Sequence, residues 1–219
     1  MTIVLYGDTY TCADLRHVVP LGIPDPLLFV EHEGSRFVVC DAMEVSRVAR
    51  LDGIAARAFD EFETLDGVVQ ADRGRERIEQ AVAAVSELGV RDAMVPRAFP
   101  LELADLLRGR GVTVDVREEL FAADRRSKNA DEVAGIVRAQ QAAEAGLAAA
   151  LAVLGRSETD GEGELVADGE RVTVERLKRE IAIVVAARGA SCVDLIVSHG
   201  PRLRSVTTWV TGRSGPASR

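Results

Sequence analysis

Aromatic residues are scarce in this chain of 219 residues, with one Trp, two Tyr and six Phe. A core with so few rings has to be closed by aliphatic packing, which Ala, Val and Leu supply. Basic charge is also short: 27 Lys and Arg stand against 35 Asp and Glu, a formal net charge of -8. Such a surface repels both a nucleic-acid backbone and an anionic membrane face, so peptides, small molecules and protein surfaces remain as partners. No apolar run approaches the roughly 20 residues that cross a bilayer. The opening Met1 to Tyr10 has no basic segment followed by an apolar stretch, so a cytoplasmic protein is expected.

The three cysteines, Cys12, Cys40 and Cys192, are odd in number, far apart and without a Cys-x-x-Cys pair. That pattern signals neither a disulfide framework nor a zinc clip. Cys40 closes the apolar run from Phe37 and reads as a small buried hydrophobe. Gly7, Gly22 and Gly34 form no Gly-x-Gly-x-x-Gly and no phosphate loop. His199 precedes a Gly-Pro turn without a Gly-x-Ser-x-Gly nucleophile, and His17 and His32 lack a second ligand at helical or hairpin spacing. Asp8, Asp41, Asp60 and Asp66 border apolar runs, where Asp caps helices or closes turns. The acidic run Glu158 to Glu164 lacks the ligand spacing of a calcium loop. No catalytic, cofactor-binding or metal-ligating residue is therefore assigned.

What is present is an alternation of short apolar runs and helical periods, the pattern of an α/β domain. Thr2 to Tyr6 reads as a strand and Cys12 to Leu21 as a helix. Leu27 to His32 and Arg36 to Cys40 are spaced as a hairpin about Glu33, Gly34 and Ser35. Ile78, Ala81, Val82, Val85 and Leu88 recur every three or four positions, marking a helix from Arg75 to Leu88 that Gly89 ends. Ala93 to Val95, Leu101 to Arg108 and Val112 to Val116 follow as strand, helix and strand, an order that implies parallel neighbours.

The text changes character near Phe121. Asn129 and Glu132 form a capping box for a long Ala-rich helix, whose expected inner face is Val133, Ile136, Val137, Ala143, Leu147, Leu151 and Leu154. Arg156 to Glu170 reads as an acidic, Gly-rich loop. Thr173 caps a second helix, running to Arg188, with Val174, Leu177, Ile181 and Val184 inside. Ser191 to Ser198 reads as a strand.

The stretch Arg125 to Ala139 resembles the linker and first catalytic-domain helix of the metallopeptidase family that includes proline aminopeptidase, prolidase and creatinase. Arg125, Lys128, Glu132, Arg138 and Ala139 match that family's spacing, whereas Asn129 stands where it usually has Ser and Ala130 where it usually has Pro. Asn caps as well as Ser, and Ala is at ease at the first helical position. The segment Ile196 to Pro201 is similar to the family text that leads into its active site.

The resemblance implies an α/β fold: a creatinase-type amino-terminal domain with a mixed sheet over residues 1–123, then the linker and opening segment of a truncated pita-bread α+β domain over 124–201. It implies a metal-dependent Xaa-Pro aminopeptidase, or a prolidase or creatinase of the same family, acting on a peptide or small molecule. It also implies a homo-oligomer built through the amino-terminal domain. Divalent Mn, Co or Zn is implied for the full-length family member. The family holds its metals through two Asp, one His and two Glu downstream of the segment resembling Ile196 to Pro201, so no metal is expected in this chain and an inactive fragment is. A non-catalytic binding or oligomerisation module is the alternative.

Residues 202–219 are basic and rich in Ser and Thr, unlike the acidic text before them, and are read as a frameshifted or disordered tail. With G/C-rich codons, a frame one nucleotide out of phase yields Ala-Ala-Ala-Val-Gly-His-Asp-Val-Gly-His-Gly-Pro-Ile, similar to the family's continuation. Trp209 lies in that tail.

Overall fold

The computed structural model describes residues 2–62, 73–118 and 120–198, which fall into two units, residues 1–128 and 129–219. The first unit is a six-stranded mixed sheet. In chain order its strands are β1 (Ile3–Gly7), β2 (Leu27–His32), β3 (Ser35–Cys40), β4 (Ile54–Ala58), β5 (Asp92–Val95) and β6 (Thr113–Val116), and in space they run β4-β3-β2-β1-β5-β6. Only β2 is antiparallel to its neighbours; β1 with β5, β5 with β6 and β3 with β4 are parallel.

The β2–β3 hairpin turns through Glu33 (φ 50°) and Gly34 (φ 79°), the paired left-handed conformations that suit a two-residue connection to the twist of its strands. Strand β4 was not anticipated. Its sequence, Ile-Ala-Ala-Arg-Ala, is poor in β-branched residues, and it is a strand because β3 offers it a five-residue parallel register.

Alternation along the strands divides the core into two layers. Val4, Leu28, Val30 and Val39 face α3 (Arg73–Glu87) and α4 (Leu101–Gly109), packing against Val82, Val85, Leu103 and Leu107. Ile3, Leu5, Phe29 and Val38 face the other way. They meet Leu15 of α1 (Ala13–Val18), Val48 of α2 (Ala42–Val48) and Phe121, which precedes α5 (Ala122–Arg126).

The second unit centres on α6 (Ala130–Gly155) and α7 (Val174–Ala186). Asn129 Oδ1 accepts from the Glu132 amide and Glu132 Oε2 from the Asn129 amide, both at 2.9 Å. Thr173 Oγ1 accepts from the Arg176 amide at 3.1 Å.

Three expectations need correction here. The acidic loop contains a small antiparallel sheet of β7 (Glu158–Thr159), β8 (Leu165–Ala167) and β9 (Glu170–Arg171). Its strands are too short for a period to show, and a left-handed Asp168-Gly169 turn joins β8 to β9. Residues 191–198 form no strand despite their β-branched content. A strand needs a partner for its ladder, and Val193 and Ile196 are exposed. The inner face of α6 is not the expected large-residue stripe, since Ala142, Gly146, Ala150 and Val153 are its buried residues. A side chain at Gly146 would meet Ile181 and Val185 of α7 at 3.0 Å, so small residues set the approach of the two helices.

Candidate functional site

Because five of the six strands point the same way, their carboxyl ends share one edge of the sheet, and the chain reverses its direction of travel across the sheet between β1 and β5. Open α/β sheets bind ligands at such a place. On that edge, beyond the ends of β3 and β4, a charged group is built around Arg77 of α3, an unanticipated residue. Its guanidinium donates to Asp41, the residue after β3. It also donates to Asp60 Oδ1 at 3.0 Å and to Gln80 Oε1 at 3.1 Å, and it stacks over the Phe59 ring at 5.0 Å. Gln80, one turn along α3, is only 4% exposed. A polar pair on the otherwise apolar face of a helix was the signal available in the sequence.

Beside this group, burial favours the neutral forms of two side chains. Burial raises the Tyr6 hydroxyl, at the end of β1, from 10.0 to about 12, against a smaller opposing pull from Arg77. Burial likewise raises the Cys40 thiol from 9.0 to about 11, reinforced by Glu44 and Asp41. A thiol held protonated is a poor nucleophile and a poor metal ligand. Next to it on β4, Arg57 lies over the Phe62 ring at 4.2 Å and pairs with Glu87 at 2.6 Å and Glu61 at 3.0 Å. Its guanidinium is thereby held still more firmly protonated, Glu87 contributing most. The cluster fastens α3 to the strand ends, and its cation is committed to two carboxylates and an amide.

The other residues weighed from the sequence are scattered. Asp8 closes a turn by accepting from Tyr10 and Thr11, and the Thr11 hydroxyl contributes most to holding its carboxyl below the usual range. Asp41 occupies the N-cap position of α2 without a side-chain capping bond, its carboxylate being taken by Arg77. His32 Nδ1 lies 2.7 Å from Thr2 Oγ1, and His17 tilts against Phe121 at 6.2 Å. Cys12 is half-buried and Cys192 exposed. Asp160 Oδ1 accepts from the Glu162 and Glu164 amides at 2.9 Å, so the acidic run is a turn. Arg125, from the linker motif, lies 2.8 Å from Asp14 of α1. Asp66, His199 and Trp209 lie outside the described residues.

Among the described residues no three His, Cys, Asp or Glu side chains converge to hold a metal ion. These residues do not fit the divalent metals that the resemblance implies, and no catalytic step is derived through them. No helix among the described residues is long and apolar enough to cross a membrane.

No protein-family profile matches the sequence, and no curated protein matches it. Solved structures do. The fold is similar to that of an Xaa-Pro dipeptidase from Bacillus anthracis, with a TM-score of 0.61 at 13% identity over 85% of this chain and 44% of that one. It is similar to an X-Pro aminopeptidase from Thermotoga maritima, with a TM-score of 0.57 at 12% identity over 85% and 46%. A prolidase from Pyrococcus furiosus matches with a TM-score of 0.57 at 7% identity over 85% and 45%. The chain thus spans less than half the length of each of these enzymes and shares the fold of that portion.

Proposed function

We propose that this chain is the amino-terminal, non-catalytic portion of a hydrolase of the Xaa-Pro dipeptidase and aminopeptidase type. The supporting observation is the shared fold, which runs through both units of this chain yet accounts for less than half of each enzyme. In this reading residues 1–123 are the amino-terminal domain, 124–201 the linker and opening of the catalytic domain, and 202–219 a frameshifted tail.

The intact hydrolase would be cytoplasmic, use divalent Mn, Co or Zn, and cleave the amide bond before proline in peptides. The first unit would border the substrate cleft and contribute to a homo-oligomer. Two features support a non-catalytic role for the chain itself. Its most concentrated charges neutralise one another around Arg77, and its buried thiol stays protonated. A prolidase or creatinase-type hydrolase is equally compatible with the shared fold. A non-catalytic binding or oligomerisation module is the alternative, supported by one observation, the apolar cluster on each face of the sheet.

The purified chain, incubated with manganese or cobalt and an Xaa-Pro peptide, is expected to retain no stoichiometric metal after desalting and to release no free amino acid. Turnover accompanied by about one or two tightly held ions per chain would refute the proposal, because dimetal hydrolysis needs a preorganised ligand set.

A further inference from the structure

Helix α5 has five residues and α1 has six. Helices of one or two turns do not hold together on their own, so each owes its shape to what it packs against. Leu15 and Val18 of α1 are buried in the same core layer as Phe29. Its Asp14 and His17, three positions apart and so neighbours on the helix surface, are turned to α5. Across from them, Phe121 and Arg125 are four positions apart and likewise neighbours, and the Arg125 amide donates to the Phe121 carbonyl at 2.8 Å.

The two faces meet pair by pair. Phe121 is 5% exposed, and its ring lies against His17 at 6.2 Å and edge-on to Phe29 of β2 at 6.4 Å. Arg125 Nε lies 2.8 Å from Asp14 Oδ1, and both atoms are shut off from water. Salt screens such a pair little, and removing one partner strands the other charge without its counter-ion. An aromatic anchor and an ionic anchor one helical turn apart thus order a peptide too short to order itself.

Beyond α5 the chain changes character. Ser127 is extended (φ -87°, ψ 111°) and exposed, Lys128 is exposed, and Asn129 then opens the capping box of α6. Arg125 and Lys128, both part of the linker spacing, fall on opposite sides of this change.

We propose that α5 is a strap. Its Phe121 and Arg125 face, closed on Asp14 and His17 of α1, fastens the start of the linker to the first unit and confines the linker's free rotation to Ser127 and Lys128. The inference concerns the first unit by itself and is independent of the hydrolase reading.

Amide hydrogen exchange of the full chain, read residue by residue by NMR, tests it. The amide of residue 125 is expected to exchange about tenfold or more slower than in an unstructured peptide. Asp14→Ala and Arg125→Ala are each expected to remove most of that protection, while the amide of Phe29, in the middle of the sheet, keeps its own. Because both substitutions break one pair, the double variant is expected to match either single one. Arg125→Lys, which keeps the cation, is expected to lose less than Arg125→Ala. Exchange at the peptide rate in the parent chain would overturn the proposal, as would protection unchanged by Asp14→Ala. Losses that multiply in the double variant, or equal losses with Lys and Ala at 125, would remove the ion pair and the strap with it. A parallel loss at Phe29 would show that α5 opens only with the whole unit, which also overturns the proposal.

Discussion

Arg77 illustrates how a single residue acquires its role from residues far away in sequence. It reaches Asp41, which the sequence casts as a helix cap, and Asp60, which it casts as a turn residue. A local cap competes poorly with a guanidinium brought to the same carboxylate by a crossover helix, since in that bond both partners are ionised. Tyr6 and Cys40 carry a pH signature of the same edge. Their folded-state pKa values lie above the ordinary ones, at about 12 against 10.0 and about 11 against 9.0. The unfolded chain therefore releases these protons first, and the contribution of the neutral groups, complete below pH 9, is lost as the pH rises through the folded values. Thermal unfolding followed from pH 8 to 12 is expected to show a falling midpoint. Tyr6→Phe should flatten the part of that fall between about pH 10 and 12. An identical slope in the variant would remove Tyr6 from the account.

Elements show where local rules suffice. The Asn129 and Glu132 box starts α6 at the expected residue, because both halves of a capping box lie within one turn and need nothing from elsewhere. The Glu33-Gly34 turn is legible for the same reason. Asp168-Gly169 carries an equally strong hairpin signal, overlooked because β8 and β9 are so short. Packing between elements escapes such rules. The large residues of α6 looked like its inner face, yet α7 chose the small-residue side, where backbones approach most closely. Gly146→Leu is expected to force the two helices apart and cost about 1–3 kcal/mol of stability, the range for overpacking a close contact. Gly146→Ala should be nearly neutral, because a helix-propensity gain of about 1 kcal/mol offsets the tight contacts. Urea unfolding monitored by circular dichroism checks both, and a Leu variant as stable as the parent would show that the helices are not in contact there.

At the scale of the whole molecule the two units differ in how much they bury. Nearly all the large side chains without exposure belong to the strands and helices of the first unit, whereas the first three turns of α6 hold no buried residue. Local opening follows burial. Hydrogen exchange at submicromolar concentration is accordingly expected to protect the amides of Leu28, Phe29 and Val30 most strongly, and to exchange those of Val133 to Arg138 orders of magnitude faster. Equal protection in both places would mean that the two units open as one.

The periodicities of α3, the β2–β3 hairpin, the caps of α6 and α7, and the change of text near Phe121 were set by the sequence alone, since each depends on residues within a turn or two of one another. The linker spacing from Arg125 to Ala139 pointed to the enzymes whose partial fold the chain shares. Tertiary structure decided the rest. It made β4 a strand by giving it β3 as a neighbour, denied strand structure to 191–198 by giving it none, drew Asp41 and Asp60 to Arg77, and turned the large residues of α6 outward. Those outcomes depend on which surfaces meet, and a surface has no partner until the chain has folded.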